Sequence, residues 1–315
     1  MSVKIHIGDC REVLKTLPDE SVNCVVTSPP YFGLRDYGVD GQVGQEATPA
    51  EFVGVMVEVF REVRRVLRSD GTLWLNLGDS YAGHNAGGFR AGNEAKNGGV
   101  SNKNGVGFVN GLKPKDLIGI PWRAALALQA DGWWLRQDII WSKPNPMPES
   151  VTDRCTKAHE YIFLLTKSER YHFDAEAIAE PLVTAANAQS RGPKDTPLER
   201  GPREGGNGGL HGAAMRMRSG DTTTRNKRSV WEVATAPFSE AHFATFPPAL
   251  IEPCIKAGCP VGGTVLDPFG GAGTTGLVAD RLQRSAILIE LNPEYAAMAR
   301  KRIDGDAPLF ASAAE

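Results

Sequence analysis

The sequence predicts an α/β fold built around buried parallel strands. Three observations predict it. Short continuous apolar runs, such as Val22–Val26 and Thr72–Leu77, have the pattern of strands covered on both faces. Amphipathic helical stretches alternate with those runs. Near the C-terminal end, Thr264–Leu282 reads as strand, Gly-rich turn and helix, the unit from which doubly wound sheets are made.

The elements follow in order. Lys4–Ile7 is a short strand, and Arg11–Leu17 is a helix closed by Pro18-Asp19. Val22–Val26 is a strand that ends at Thr27-Ser28-Pro29-Pro30, because proline has no N–H to give a ladder. Thr48 is an N-cap, Pro49 suits the first helical position and Glu51 completes a capping box. Phe52, Val55, Met56, Val59, Phe60 and Val63 then form one apolar face. Ser69-Asp70-Gly71 is a turn into the strand Thr72–Leu77, which ends at Gly78-Asp79. Residues 82–113 are rich in Gly and Asn without periodicity and read as a long mobile loop. Pro121–Ala130 is a helix, and Trp133–Trp141 and Tyr161–Thr166 are strands antiparallel to one another. After a basic, core-poor stretch, Pro247–Ala257 (helix), Thr264–Leu266 (strand), Gly273–Leu282 (helix), Ala286–Glu290 (strand) and Pro293–Ile303 (helix) complete the fold. The chain is thus expected to divide into 1–180, an irregular insert at 181–229, a continuation of the first part at 230–304 and a tail at 305–315.

Composition excludes several classes. With 41% hydrophobic and 23% charged residues, the 315-residue chain is ordinary for a globular protein. No apolar run reaches the roughly 20 residues of a membrane helix, and the first residues lack a signal-peptide pattern, so a cytoplasmic protein is expected. The five cysteines form no Cys-x-x-Cys pair and lie at no zinc-ligand spacing, so no metal is expected. A net charge of −2 means that any nucleic-acid footprint must be local.

Two strand ends carry chemistry. Asp267-Pro268-Phe269-Gly270-Gly271-Ala272-Gly273-Thr274-Thr275 lets a ligand approach the backbone at a strand's carboxyl end. It lacks the Gly-Lys-Ser/Thr of a phosphate loop and does not fit Gly-x-Gly-x-x-Gly. Asp267 suits a cationic amino-acid portion, and Glu290, at the tip of the next strand, suits ribose hydroxyls. The other end is Ser28-Pro29-Pro30-Tyr31, where the prolines fix φ and remove donors, leaving a loop of acceptors beside an aromatic face. Asp79, at a third strand tip, is a candidate for the same crevice.

These motifs resemble those of the amino-methylating DNA methyltransferases, with a (Ser/Asn/Asp)-Pro-Pro-(Tyr/Phe/Trp) catalytic loop and an Asp-Pro-Phe-Gly-like cofactor motif. The order, catalytic loop first, is similar to the permuted β class. Gly8-Asp9-Cys10, Lys143-Pro144-Asn145-Pro146-Met147-Pro148, His159-Glu160-Tyr161 and His242-Phe243-Ala244-Thr245-Phe246-Pro247 extend the resemblance along nearly the whole chain. It implies a Rossmann-like S-adenosylmethionine-dependent methyltransferase fold with permuted motif order and an irregular target-recognition insert. It implies methylation of double-stranded DNA at adenine N6 or cytosine N4 of a flipped base, in a restriction-modification setting, with a homodimer as the assembly. Ser28 Oγ and the Pro29 carbonyl would accept the amino N–H groups, Pro30 would stiffen the loop, and Tyr31 would stack on the base.

The resemblance also implies that Asp9 and Cys10 line the adenine side of the cofactor, and that Phe243, Thr245, Phe246 and Pro247 cover its methionine end. Asp267, Pro268, Phe269, Gly271, Gly273, Thr274, Glu290 and Asn292 complete that set. Lys143 and Asn145 are expected at the flipped nucleotide or its phosphates. In the insert, Arg191, Arg216, Arg218, Arg225, Lys227 and Arg228 suit phosphate contact and guanine reading. Two alternatives stand beside this reading: a protein-glutamine or RNA methyltransferase, in which the motif order is usually reversed, and a non-catalytic DNA-binding descendant.

Overall fold

A computed structural model describes residues 1–34, 39, 41–83, 112–181, 224–236 and 245–306. The chain divides into two units, one formed by Met1–Asp174 with Ser229–Glu315 and the other by Ala175–Arg228. Most of the loop expected at 82–113, most of the insert and the tail lie outside the described residues.

In the larger unit the elements are β1 (Val3–Ile7), α1 (Cys10–Thr16), β2 (Val22–Thr27), α2 (Pro49–Val66), β3 (Leu67–Leu77), α3 (Ile120–Ala130), β4 (Trp134–Ser142) and β5 (His159–Thr166). The smaller unit holds β6 (Glu180–Pro181) paired antiparallel with β7 (Thr224–Arg225). The larger unit then continues with β8 (Val230–Glu232), α4 (Pro248–Gly258), β9 (Thr264–Asp267), α5 (Thr274–Arg281), β10 (Ser285–Glu290) and α6 (Pro293–Asp306). One eight-stranded sheet runs β1-β10-β9-β2-β3-β5-β4-β8. From β1 to β3 every neighbouring pair is parallel, whereas β5 is antiparallel to both β3 and β4.

Local chemistry sets the helix ends. Thr48 Oγ1 accepts from Glu51 N at 3.2 Å, and Glu51 accepts from Ala47 N at 3.0 Å, so the capping carboxylate reaches one residue further back than a simple box. Of the apolar face expected on α2, Phe52, Met56, Val59, Phe60 and Val63 are buried in one core with Leu73, Leu75 and Leu77, and Val55 is half-buried against it. Side chains of this size contribute roughly 1.5–3 kcal/mol each on burial, so this face is a substantial part of the larger unit's core.

Two details differ from expectation. The turn expected at 69–71 is a bulge within continuous β3: β2 advances from Val22 to Cys24 while β3 advances from Leu67 to Thr72. The extra residues Arg68, Ser69 and Asp70 are exposed, which a turn-like composition permits. Strand β8 was not foreseen, because three residues carry no readable period; it adds to the edge by pairing Trp231 with Trp141.

Candidate active site

The carboxyl ends of β1, β2, β9 and β10 open on one cavity of about 810 Å³. A parallel sheet places the loops after neighbouring strands along one edge, and ligands bind in the crevice there. Gly8, Asp9 and Cys10 follow β1, Ser28–Tyr31 follow β2, Pro268–Ala272 and Thr274 follow β9, and Leu291 and Asn292 follow β10; all line the cavity. Thr245 and Phe246 line it too.

At the β9–β10 end the turn is held by its own backbone. Glu290 accepts from Gly271 N at 2.7 Å and from Asn292 N at 2.8 Å. Burial pushes the Glu290 carboxyl above the usual carboxylate range, and those backbone donors oppose the rise. Gly271 has φ +48°, and a Cβ there would meet only the Phe269 carbonyl at 3.9 Å, so the space beside it is open. Cys10 is buried, and that burial lifts its thiol to about 12. Asp9 caps α1 and pairs with Arg11, whose hydrogen bonds outweigh burial and hold the carboxyl below its ordinary range.

Three of the residues expected at this end take part in the protein's own hydrogen bonding and packing. Asp267 is 1% exposed, and its carboxylate is taken by Thr27 Oγ1 (2.6 Å), Thr275 Oγ1 (2.6 Å) and Phe269 N (3.0 Å). It also lines the cavity, so this carboxylate borders the crevice while bonded to three protein donors. Gly273 is absent from the cavity lining; a Cβ there would lie 2.7 Å from Ala299 Cβ, so the glycine lets α5 pack against α6. Pro247 is buried as the N-cap of α4 and also lies outside the lining. Phe243 falls outside the described residues.

The catalytic loop has a different construction. Tyr31 donates its hydroxyl to Glu160 at 2.6 Å, and Asn76 Oδ1 lies 3.3 Å away. Asn76 Nδ2 donates to Glu160 at 3.3 Å and to the Tyr161 carbonyl at 3.0 Å. Lys143 closes the network with an ion pair to Glu160, its ammonium 4.2 Å from the Trp141 ring centroid. Gly78 lies against Tyr31, since a Cβ there would be 2.4 Å from Tyr31 Cε2. Ser28 Oγ, by contrast, has no hydrogen-bond partner among the described residues.

A family profile described as DNA methylase, of N6/N4 type, matches residues 22–301. The chain belongs to the N6/N4 DNA methylase family. It is similar to the type II methyltransferase M.Cfr9I of Citrobacter freundii, at 48% identity over 95% of this chain and 87% of that one. To M.SmaI of Serratia marcescens it is 46% identical over 96% and 91%. The fold matches PvuII DNA methyltransferase, described as cytosine-N4-specific, with a TM-score of 0.64 at 20% identity over 96% and 86% of the two chains. It also matches a DNA modification methylase from Thermus thermophilus complexed with S-adenosyl-L-methionine, with a TM-score of 0.60 at 24% identity over 98% and 96%. The methylase is therefore an enzyme for exocyclic amino groups in DNA, and the protein-glutamine, RNA and non-catalytic alternatives are set aside.

A nucleoside-containing methyl donor suits the residues present. The Glu290 carboxylate has spare lone pairs beyond the two backbone bonds and lines the cavity. The glycine turn leaves open space at Gly271, and Phe269, Phe246 and Ile289 supply apolar wall.

The residues expected at DNA divide. Lys143 and Asn145 both line the cavity, yet each is engaged internally: Lys143 by Glu160, and Asn145 by the Thr235 backbone, which it both receives from (2.9 Å) and donates to (3.2 Å). In the smaller unit, Arg225 and Arg228 surround Glu180 at 3.3 and 3.0 Å, with Lys227 at 4.0 Å. That carboxylate is held below its usual range because Arg228 outweighs burial. Arg191, Arg216 and Arg218 lie outside the described residues. Asp79 is not in the cavity lining; it accepts from Gly119 N and Ile120 N and so caps α3.

Sequence reasoning missed Asn76, Glu160 and Lys157, and it placed Thr27 in the catalytic loop without giving it a role of its own. Asn76 had a readable signal, a lone amide inside the apolar run Leu73–Leu77. Glu160 stood in a motif given no role. Lys157 lines the cavity and donates to the Asp79 carbonyl at 3.0 Å; burial lowers its affinity for a proton. Nothing in its sequence context marks it.

Proposed function

We propose that the methylase holds a base flipped out of double-stranded DNA with its amino group at Ser28 Oγ and the Pro29 carbonyl. The observation that carries this reading is Ser28 Oγ itself. Among the described residues it stands without a hydrogen-bond partner at the tip of β2, in the same cavity as the glycine turn after β9, whereas Tyr31 in the same loop is bonded to Glu160. When bound, S-adenosylmethionine supplies an electrophilic methyl group on a sulfonium centre.

The chain's own part is positioning. An exocyclic amino nitrogen is a poor nucleophile because its lone pair is delocalised into the ring. Two acceptors at its N–H groups draw it toward tetrahedral geometry, which localises that lone pair. Pro29 and Pro30 keep competing N–H donors out of the loop. Tyr31 offers its ring for stacking, held by its hydroxyl on Glu160. Such fixed geometry accounts for much of the rate in a transfer of this kind.

Glu290 is assigned to the ribose, Asp9 and Cys10 to the adenine side, and Thr245 and Phe246 to the methionine end. Asn292 joins this set as the residue that, with Gly271, holds Glu290. Arg225, Lys227 and Arg228 are assigned to DNA phosphates, with Glu180 gathering them. A cytoplasmic homodimer in a restriction-modification pair fits the resemblance to the β class and the type II relatives; light scattering of the purified enzyme tests the dimer. The catalytic assignment is tested by Ser28→Ala. Methyl transfer to unmethylated DNA should fall by about 100-fold or more, on the scale of losing one transition-state hydrogen bond, with cofactor affinity unchanged. Undiminished transfer would refute it.

A further inference from the structure

The crevice lies at a seam in the sheet. The β2–β3 ladder continues to the strand tip, where Thr27 pairs with Leu75. The β9–β10 ladder also reaches its tip, where Asp267 pairs with Leu288. Between them, the β2–β9 ladder contains only Cys24 with Val265 and Val25 with Leu266. The two halves of the sheet therefore part just where the catalytic loop and the glycine turn begin. Beyond that point, among the described residues, side chains make the connections between β2 and β9. Thr27 Oγ1 donates to Asp267 Oδ1 at 2.6 Å, Thr275 Oγ1 donates to Asp267 Oδ2 at 2.6 Å, and Thr275 Oγ1 lies 3.4 Å from the Val26 carbonyl.

We infer that Thr27 and Asp267 form a pin across this seam that fixes Ser28 relative to the cofactor turn, and that Thr27 is thereby a positioning residue for methyl transfer. The inference rests on the reading of Ser28 as the amino-group acceptor. Thr27 immediately precedes Ser28 and is fully buried, so its hydroxyl acts through the backbone rather than on a ligand. Asp267 immediately precedes Pro268 and Phe269, and it also accepts from Phe269 N at 3.0 Å. One carboxylate thus ties both walls of the crevice: Thr27 from the catalytic side, Phe269 and Thr275 from the cofactor side.

The arrangement is costly, since the Asp267 carboxylate is buried with three donors and, among the described residues, no cationic partner. An apolar seam would be cheaper for the fold alone. Fixing two loops relative to each other explains the retained charge, because misplacement by about 1 Å costs up to about a hundredfold in rate.

The test compares Thr27→Val, Thr27→Ala and Thr27→Ser under saturating DNA and cofactor, with folding followed by circular dichroism. Thr27→Val is expected to lower kcat about tenfold or more with cofactor Kd little changed, and Thr27→Ser to restore the rate. If Thr27→Val fails to fold, Thr27→Ala against Thr27→Ser carries the same comparison. Three results overturn the inference: hydroxyl-free variants with full kcat, equal slowing in Thr27→Ser and Thr27→Ala, or a loss seen in cofactor Kd rather than in kcat. Unfolding of every variant, serine included, overturns it too, in favour of a purely structural threonine. Ser28→Ala measured in parallel separates this from the parent reading. Full activity there fails the Ser28 assignment whatever Thr27 does.

Discussion

The two ends of the cavity are built by different means. At the cofactor end, Glu290, Gly271, Asn292, Asp267 and Phe269 all come from two neighbouring strand–turn segments, and most of the bonds run between residues close in the chain. At the target end, Tyr31, Asn76, Lys143 and Glu160 come from β2, β3, β4 and β5 or the turns that follow them. The first end is a local motif, and the second is assembled by the sheet. The cofactor end should therefore tolerate distant changes, while the target end should fail when any one strand's contribution is lost.

Glu160→Ala attacks the second design most directly. It leaves the Lys143 ammonium, 18% exposed, without its carboxylate, and frees the Tyr31 hydroxyl. Breaking a largely buried pair from one side costs about 3–5 kcal/mol. Chemical denaturation should report a loss toward the lower figure, and methyl transfer should fall while cofactor binding by the folded fraction persists. A loss of cofactor binding equal to the loss of rate would erase the distinction between the ends.

Asp267 links the two ends and carries a pH signature. Its burial pushes the carboxyl from an ordinary 3.8 to about 6, so the folded chain holds this proton more tightly than the unfolded one. Stability from this group is therefore fully present below about pH 4 and is lost as pH rises to about 6. The shift of about two pH units corresponds to about 3 kcal/mol. Wild type should lose about that much relative to Asp267→Asn between pH 4 and 6, in paired denaturation curves. Parallel curves would show that Asp267 titrates normally.

Gly273→Ala separates packing from ligand contact at the cofactor end. The new Cβ would press on Ala299 Cβ at 2.7 Å, from a φ of +76° that disfavours side chains. A loss of about 2 kcal/mol is expected, with near-normal cofactor affinity once folded. Selective loss of cofactor affinity would return Gly273 to the binding set. Asn145→Ala should have the smallest effect. It removes two hydrogen bonds to Thr235 on an exposed loop, about 1 kcal/mol or less. Thermal unfolding should shift slightly, and a large drop in DNA affinity would instead support direct contact.

The amino-acid sequence by itself determined the α/β class, the principal helices and strands, and both motif-bearing strand ends. These rest on short-range rules: apolar period, capping residues such as Thr48, prolines that end a ladder, and glycines that admit a ligand to the backbone. Tertiary structure alone decided what the polar groups at those ends do. Asp79 and Asp267 both lie at strand ends and look alike in the sequence. One caps α3, and the other bridges the seam between β2 and β9. Lys143 and Asn145 read as DNA contacts, yet Glu160 and the Thr235 backbone engage them. The reason is physical. A hydrogen bond depends on which strands become neighbours, and in a sheet ordered β1-β10-β9-β2-β3-β5-β4-β8 some of those neighbours, such as β2 and β9 or β1 and β10, are far apart in the chain.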